Sequence, residues 1–183
     1  VHETRQLPLW NPYAFAGAPL AADVQSGLWY PPNWPVWFLL SPPDFGGNFT
    51  AALHSGYAVI EWQLIIHYAW AALGMYLWLR DLRLGRLPAV AGTAAFAFCG
   101  FMAAHFGHMP MIFAAAWLPW NLLLTRRLVV GRGWGAALLL GVTLGLTFLA
   151  GHPQTFLYEL LAVALYWAWL TFAPGAAPTP LPT

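Results

Sequence analysis

Five long apolar runs follow one another along the chain, separated by short polar segments. They cover about residues 57–79, 88–104, 110–124, 134–150 and 154–172. An α-helix rises about 1.5 Å per residue, so the first run is long enough to cross a hydrocarbon core of about 30 Å. The third run is shorter and contains Pro119, so it either spans or re-enters on one side. The pattern predicts an all-α integral membrane protein with about five transmembrane helices.

The stretch before the first run has no helical period. Residues Leu7 to Pro35 contain six prolines and three tryptophans. Proline fixes φ and lacks an amide hydrogen, so a long helix is excluded here, and unpaired backbone groups cannot lie in hydrocarbon. Residues 1–56 are therefore predicted to form an irregular, aromatic-rich surface loop, and a long loop of this kind is more often a site than a spacer. Residues 173–183 are predicted to be a Pro/Ala-rich tail.

The distribution of arginine predicts the orientation. Six of the seven arginines lie in two short segments, residues 80–86 and 126–132. The positive-inside rule places both segments in the cytoplasm, so an even number of crossings must separate them. Residues 88–124 must therefore cross twice or form a re-entrant pair. The loop at residues 1–56 and the turns HFGHMP and GHPQ then share the exoplasmic face, and the tail is cytoplasmic.

Composition supports the same class. The chain has 183 residues, of which 60% are hydrophobic and 7% are charged, whereas roughly a quarter of the residues in a soluble domain are charged. A net charge of +1 gives no basic patch for nucleic acid or acidic lipid. The single cysteine, Cys99, excludes an intrachain disulfide.

Polar residues on the predicted exoplasmic face are candidates for chemistry. Asp23, two residues before Gln25, is a candidate general base, and the alternative is a solvated aspartate that caps a turn. Trp10 and the other loop tryptophans could stack on a sugar, or belong to an interfacial aromatic belt. Pro153 disfavours helix at His152, so the chain is predicted to turn there and to expose His152 and Gln154.

The other histidines and the glycines have structural explanations beside functional ones. His105, His108 and His152 could form a three-histidine metal site, but no accompanying motif supports one and no metal ligand is assigned. His67, in the middle of a run, is a conceivable haem or chlorin ligand, although an interhelical hydrogen bond is favoured. Glu159 is expected to hydrogen-bond across the bundle. Gly141, Gly145 and Gly151 are expected to allow close helix packing.

Five segments, read together, resemble the bacterial YfhO family of polytopic membrane proteins: PLWNPYAFAGAPLAADVQSGLWYPPNWP, ALHSGYAVIEWQL, AFAFCGFMAAH, WLPWNLLL and LAGHPQTFLYE. The resemblance covers nearly the whole chain. That family is similar to GT-C glycosyltransferases, which transfer a sugar from a polyprenyl-phosphate donor outside the cytoplasmic membrane. The resemblance implies a multi-pass protein of the bacterial inner membrane. It implies that the substrate site is lined by Asp23, the candidate general base, and by Trp10, Asn11, Gln25, Tyr30, Asn33, His54, His152 and Gln154.

The chain also departs from the family pattern. Family members are much longer, and their catalytic aspartate would lie upstream of Val1, so the chain is interpreted as a fragment or truncated member that need not be active alone. The leading hypothesis is displacement at the anomeric carbon, with a loop carboxylate as base and a basic group or divalent metal at the leaving phosphate. The expected partners are the bilayer and a polyprenyl-linked sugar. The alternative is a non-enzymatic accessory subunit of a larger membrane complex, packed beside pigment or haem.

Overall fold

The computed structural model describes residues 9–12, 16–40, 49–131 and 133–173 of the chain, and these residues form helices without any strand. The helices are α1 (Trp34–Leu40), α2 (Phe49–Asp81), α3 (Arg86–Ala97), α4 (Gly100–Ala104), α5 (Met109–Ala115), α6 (Leu118–Val129), α7 (Gly133–Leu149) and α8 (Pro153–Phe172). Two short 3-10 turns, Val24–Ser26 and Pro31–Asn33, precede α1. The predicted tail after residue 173 lies outside the described residues, as do loop residues 1–8, 13–15 and 41–48.

The helices follow the predicted apolar runs, with differences at their boundaries. Helix α2 begins at Phe49 and not at Tyr57, so the last part of the predicted loop is helical. The second run is interrupted at Phe98–Cys99 and the third at Ala116–Trp117. Pro119 lies in the first turn of α6, where its missing amide hydrogen removes no helical hydrogen bond. The proline therefore marks a helix start and not a kink within a helix.

The third run, the shortest in the sequence pattern, forms the centre of the bundle. Helices α5 and α6 both contact α2, α7 and α8. Ile112, Ala114 and Ala116 are completely buried. Phe113 stacks on Tyr30 of the N-terminal segment, whereas Arg126 contacts Asp81 at the far end of α2. The pair α5–α6 therefore runs from one end of the bundle to the other.

The two arginine segments lie at the same end of the bundle, which we call the arginine end. Arg126 forms an ion pair with Asp81, and Arg127 Nε lies 3.3 Å from the other carboxylate oxygen of Asp81. At the opposite end, which we call the loop end, the Val24–Ser26 turn packs on Gly151. Parity of crossings predicted this grouping of the turns; the side of a membrane that each end faces stays a prediction.

Two helical stretches are long and apolar enough to cross a membrane. They are Arg86–Ala104, which combines α3 and α4, and Pro153–Phe172, with mean hydropathies of 1.7 and 1.4. Gly133–Leu149 is apolar but shorter. Only 17% and 22% of the residues in the two long stretches are buried. Most of their apolar surface therefore faces away from the interior of the described bundle.

Of the three glycines expected to allow close packing, Gly151 is closely approached by a neighbouring turn, whereas a close contact between helices occurs at Gly74. No described atom lies within 4 Å of the position that a Cβ would take at Gly141 or Gly145, so the expectation of packing there is wrong. At Gly74 in α2, by contrast, a Cβ would lie 2.5 Å from Trp120 Nε1. Trp120 stacks on Trp70 with 4.2 Å between ring centroids and donates to its carbonyl oxygen at 3.0 Å. The indole of Trp120 thus uses the space that Gly74 leaves.

We expect Gly74→Ala to lower the free energy of unfolding by about 2 kcal/mol, because the added methyl group must displace the stacked Trp120. The matched control, Gly145→Ala, places its methyl group in open space within a helix and should be neutral or stabilising by up to about 1 kcal/mol. Unfolding of both variants in mixed micelles measures the difference. Equal stabilities would show that α2 and α6 do not approach closely at Gly74.

Candidate functional site

The described N-terminal residues, 9–12 and 16–40, form a folded segment that we call the cover. Hydrogen bonds of its own backbone and of its tryptophans hold it together. Asn11 and Ala18 exchange two backbone hydrogen bonds, of 2.8 and 2.9 Å. The indole of Trp29 donates to the carbonyl oxygen of Ala21 at 2.8 Å. The indole of Trp34 donates to that of Leu28 at 3.0 Å. These bonds give a proline-rich sequence a defined shape without a regular helix or sheet.

Tyr30 anchors this cover in the bundle. It is completely buried, and its hydroxyl oxygen accepts a hydrogen bond from Trp117 Nε1 at 2.7 Å. The same hydroxyl lies 2.9 Å from His67 Nε2, and His67 Nδ1 lies 2.6 Å from the carbonyl oxygen of Gln63. A carbonyl oxygen can only accept, so His67 carries its proton on Nδ1 and its Nε2 accepts from Tyr30. The direction of every bond in this chain is therefore fixed.

The surroundings of Tyr30 keep its phenol neutral. Burial raises the pKa of Tyr30 well above its ordinary value, an effect that the hydrogen bond from Trp117 opposes and the charge of Glu159 reinforces. The His67 ring stacks on Phe113 at a centroid distance of 4.0 Å. Both nitrogens of His67 are engaged by protein groups, so neither points to a haem or chlorin. His67 acts as a structural residue that holds the cover.

A cavity of about 230 Å³, which we call the loop cavity, lies between the cover and the bundle. The cover, α2, α5 and the turn before α8 form its walls. It is lined by Gln25, Ser26, Gly27, Asn33, Trp37, Val59, Ile60, Gln63, Met109, Pro110, Phe113 and Ala150. Two of the predicted substrate-binding residues, Gln25 and Asn33, therefore line one cavity.

A second cavity of about 310 Å³, which we call the α8 cavity, lies between α8 and the helices α3 to α6. Its walls are mainly apolar, and its polar side chains come from the first turns of α8 and the residue before them. It is lined by Phe96, Cys99, Phe101, Met102, Met111, Ala115, Leu118, His152, Gln154, Thr155, Tyr158, Glu159 and Ala162. The predicted residues His152 and Gln154 lie here.

His152 begins α8 in the non-helical conformation predicted from Pro153. Its Nδ1 accepts hydrogen bonds from the backbone amide of Thr155 at 3.2 Å and from the Thr155 hydroxyl at 2.8 Å. This is a helix cap, which satisfies an amide that has no partner within the helix. Gln154 is exposed and donates to the Tyr158 hydroxyl at 2.7 Å. His152 therefore contributes both to the fold of α8 and to the cavity.

A turn beside the loop cavity touches a turn beside the α8 cavity. Gly151 has a φ of +93°, and a Cβ there would overlap the carbonyl oxygen of Val24. The turn that holds Asp23 and Gln25 thus touches the turn that holds His152. Asp23 is exposed, and its carboxylate accepts a hydrogen bond from the backbone amide of Gln25 at 2.9 Å. It caps the Val24–Ser26 turn, as in the alternative weighed for it from the sequence.

The remaining predicted residues lie outside the cavity walls. Tyr30 is in the interior, and Asn11 is in the backbone bridge to Ala18. Trp10 is 58% exposed and lies against Gly17. His54 is exposed on α2, before the residues that line the loop cavity. The structure thus divides the predicted set between two cavities, a buried anchor and the surface.

A buried polar cluster connects the central helix to α7 and α8. Asn121 Nδ2 donates to Glu159 Oε2 at 3.3 Å and to the Thr147 hydroxyl at 3.1 Å. Glu159 is 3% exposed and hydrogen-bonds across the bundle, as expected. Asn121, Thr147 and Gln63 were not identified from the sequence. The sequence signal for Asn121 was that it is a single amide side chain in an apolar run, where burial without a hydrogen-bond partner is unfavourable.

The three predicted histidines do not meet at a metal site. The ring centroids of His105 and His108 are 6.1 Å apart, and His105 Nδ1 donates to the carbonyl oxygen of Phe101. The described residues contain no group of three or more His, Cys, Asp or Glu side chains placed to hold a metal ion.

No family model, no curated protein and no solved structure matches the chain.

We expect Tyr30→Phe to lower the free energy of unfolding by about 2 kcal/mol, because it leaves Trp117 Nε1 and His67 Nε2 buried without partners. It should also speed proteolysis of the N-terminal segment. Tyr158→Phe removes a hydroxyl from an exposed side chain and should change stability by less than about 0.5 kcal/mol. Unfolding in mixed micelles and limited proteolysis provide the two measurements. Equal behaviour of the variants would contradict an anchoring role for Tyr30.

Proposed function

We propose that the chain is a membrane-embedded module of a GT-C-like glycosyltransferase that binds a polyprenyl-linked sugar at its loop end. The sequence resemblance supplies the reaction class. The α8 cavity, which offers an apolar chamber beside polar groups, is the observation that carries the proposal. In this proposal α2, α3–α4, α5–α6, α7 and α8 are five spans of the bacterial inner membrane, and the loop end is exoplasmic.

The exposed surface of the bundle supports insertion in a membrane. Large apolar side chains stand out from three different helices, as Leu87 in α3 (81% exposed), Trp134 in α7 (91%) and Leu165 in α8 (70%) illustrate. Soluble proteins rarely expose extended apolar surfaces, because water solvates them poorly. Asp81, at the end of α2, forms an ion pair with Arg126. A bilayer around the helices would cover this surface.

The α8 cavity fits an isoprenoid chain. Two of its lining residues, Phe101 of α4 and Tyr158 of α8, are 41% and 59% exposed, so in this proposal a lipid reaches the cavity between these helices. An opening between helices faces the bilayer, so a lipid enters sideways without crossing water. His152 and Gln154 at the start of α8 then meet the polar head of the lipid. Apolar walls with a few polar groups at one side are the usual composition of a ligand cavity.

The reaction implied by the resemblance is a direct displacement. An acceptor hydroxyl oxygen attacks the anomeric carbon, the bond from that carbon to the phosphate oxygen breaks, and polyprenyl phosphate leaves. Asp23, exposed at the loop end, is the described carboxylate that would take the hydroxyl proton. The described arginines lie at the arginine end. We therefore assign the isoprenoid and sugar contacts to the described residues and assign the phosphate contact to none of them.

That distribution of arginines also favours a second candidate, a non-enzymatic accessory subunit. Such a subunit would use the α8 cavity to hold a lipid or pigment without transferring a group. A haem or chlorin would need a ligand other than His67, since both nitrogens of that ring are engaged. The two candidates differ in whether bound polyprenyl-phosphate sugar is consumed.

The proposed orientation predicts which residues a membrane-impermeant maleimide reaches in right-side-out vesicles. With Cys99 replaced by alanine, single cysteines at Asp23 and Gly107, both exposed at the loop end, should be labelled in intact vesicles. A cysteine at Arg86, exposed at the arginine end, should be labelled only after permeabilisation. The reverse pattern would overturn the orientation, and equal labelling of all three would overturn membrane insertion.

We expect Ala162→Trp, which fills the α8 cavity, to reduce crosslinking by a photoreactive polyprenyl phosphate about tenfold or more. Ala164→Trp makes the same substitution on the exposed face of α8 and should leave crosslinking unchanged. Crosslink yield in lipid nanodiscs, followed by peptide mapping, measures this. Equal crosslinking of both variants would overturn the α8 cavity as the isoprenoid site.

A further inference from the structure

Two residues in the wall of the loop cavity each have a buried side-chain amide atom without a hydrogen-bond partner. Asn33 is 2% exposed and Gln63 is 4% exposed, and both line this cavity. Asn33 Oδ1 and Gln63 Nε2 are inaccessible to solvent and make no hydrogen bond. A buried polar group without a partner costs about 1–3 kcal/mol, so such groups in folded proteins meet a ligand or an ordered water. The amides come from different elements, the cover and α2, and share one space.

The chemistry of the cavity wall selects the class of ligand. An amide offers both a donor and an acceptor, which matches a hydroxyl group, since a hydroxyl both gives and accepts a hydrogen bond. None of the lining residues has a side chain that is charged near neutral pH, so nothing in the wall compensates a ligand charge. Trp37 and Phe113 add aromatic surface, on which the C–H faces of a sugar ring pack well.

The size of the cavity limits the ligand to one small ring. Its volume of about 230 Å³ corresponds to roughly eight water molecules at the density of the liquid. We propose that the loop cavity binds a single uncharged saccharide unit, with the amides of Gln63 and Asn33 hydrogen-bonded to its hydroxyl groups.

The position of the cavity gives this site a place in the proposed reaction. Its cover turn touches Gly151, the residue before His152 of the α8 cavity. The saccharide is either the sugar of the lipid donor or a sugar of the acceptor, and both have the same hydroxyl chemistry. The assignment to donor or acceptor rests on the proposed function. The binding of a neutral saccharide to the loop cavity can be measured without assuming the proposed function.

The test is saturation-transfer NMR on the chain in lipid nanodiscs, with methyl glycosides of neutral hexoses as probes and glucuronate as the charged comparison. We expect at least one neutral glycoside to bind, and Gln63→Met and Asn33→Leu each to weaken it about tenfold, the effect of one or two lost hydrogen bonds. Ile60→Trp, at the exposed mouth, should abolish binding. Ile65→Trp, the same substitution on an exposed part of α2 outside the cavity wall, should bind as the parent does.

Three results would overturn the proposal: no neutral glycoside binds the parent chain and only water fills the cavity, glucuronate binds equally well, or the two tryptophan variants behave alike. The tryptophan pair changes surface residues, so it remains informative if a buried amide variant fails to fold. Competition by a polyprenyl-phosphate hexose but not by polyprenyl phosphate identifies the donor sugar, and competition by a free oligosaccharide identifies the acceptor. Polyprenyl crosslinking at the α8 cavity is measured in a separate experiment. If no crosslink forms there, the proposed function is rejected, and the NMR data still decide whether the loop cavity binds a saccharide.

Discussion

The hydrogen-bond chain from Trp117 through Tyr30 and His67 to the carbonyl oxygen of Gln63 determines where the N-terminal cover sits on the bundle. Trp117 can only donate and the carbonyl can only accept, so the two groups between them have one arrangement that satisfies every partner. Withdrawing Tyr30 would leave an indole N–H and an imidazole nitrogen buried without partners, which opposes displacement of the cover. Both the loop cavity and the contact at Gly151 exist only while the cover occupies this place.

The central position of α5–α6 follows from the same constraint. This pair supplies Trp117 to the hydrogen-bond chain, Asn121 to the polar cluster with Glu159, and Arg126 to the ion pair with Asp81. Each of these polar groups would be costly in an apolar interior without its partner on a neighbouring helix. Burial of this pair accounts for its modest hydropathy, because helices that face other helices need not be uniformly apolar. The long apolar stretches α3–α4 and α8 instead expose most of their surface.

The sequence predicted the elements of the fold better than it predicted the site. Apolar periods and arginine segments identified the helices and the grouping of their turns, since both depend on residue type along the chain. The burial of Tyr30 and Asn33 was not predictable in this way. In a loop without a repeating conformation no period separates inward from outward side chains. Gln63 and Asn121 were not identified for a related reason, because their roles depend on residues far away in the sequence. Gln63 lines the loop cavity beside the cover, and Asn121 hydrogen-bonds to Glu159.

The two cavities differ in chemistry in a way that suits the two halves of one amphipathic molecule. The α8 cavity is walled mainly by apolar side chains, whereas the loop cavity lies beneath the cover and has side-chain amide atoms without partners in its wall. Transfer of an isoprenoid chain from water into the apolar α8 cavity is favourable. Hydroxyl groups give up hydrogen bonds to water when they bind, so they need replacement partners such as the amide atoms in the wall of the loop cavity. The contact between Val24 and Gly151 holds the two environments side by side. The proposed ligand, a lipid-linked sugar, has the same division into an apolar and a hydroxyl-rich part.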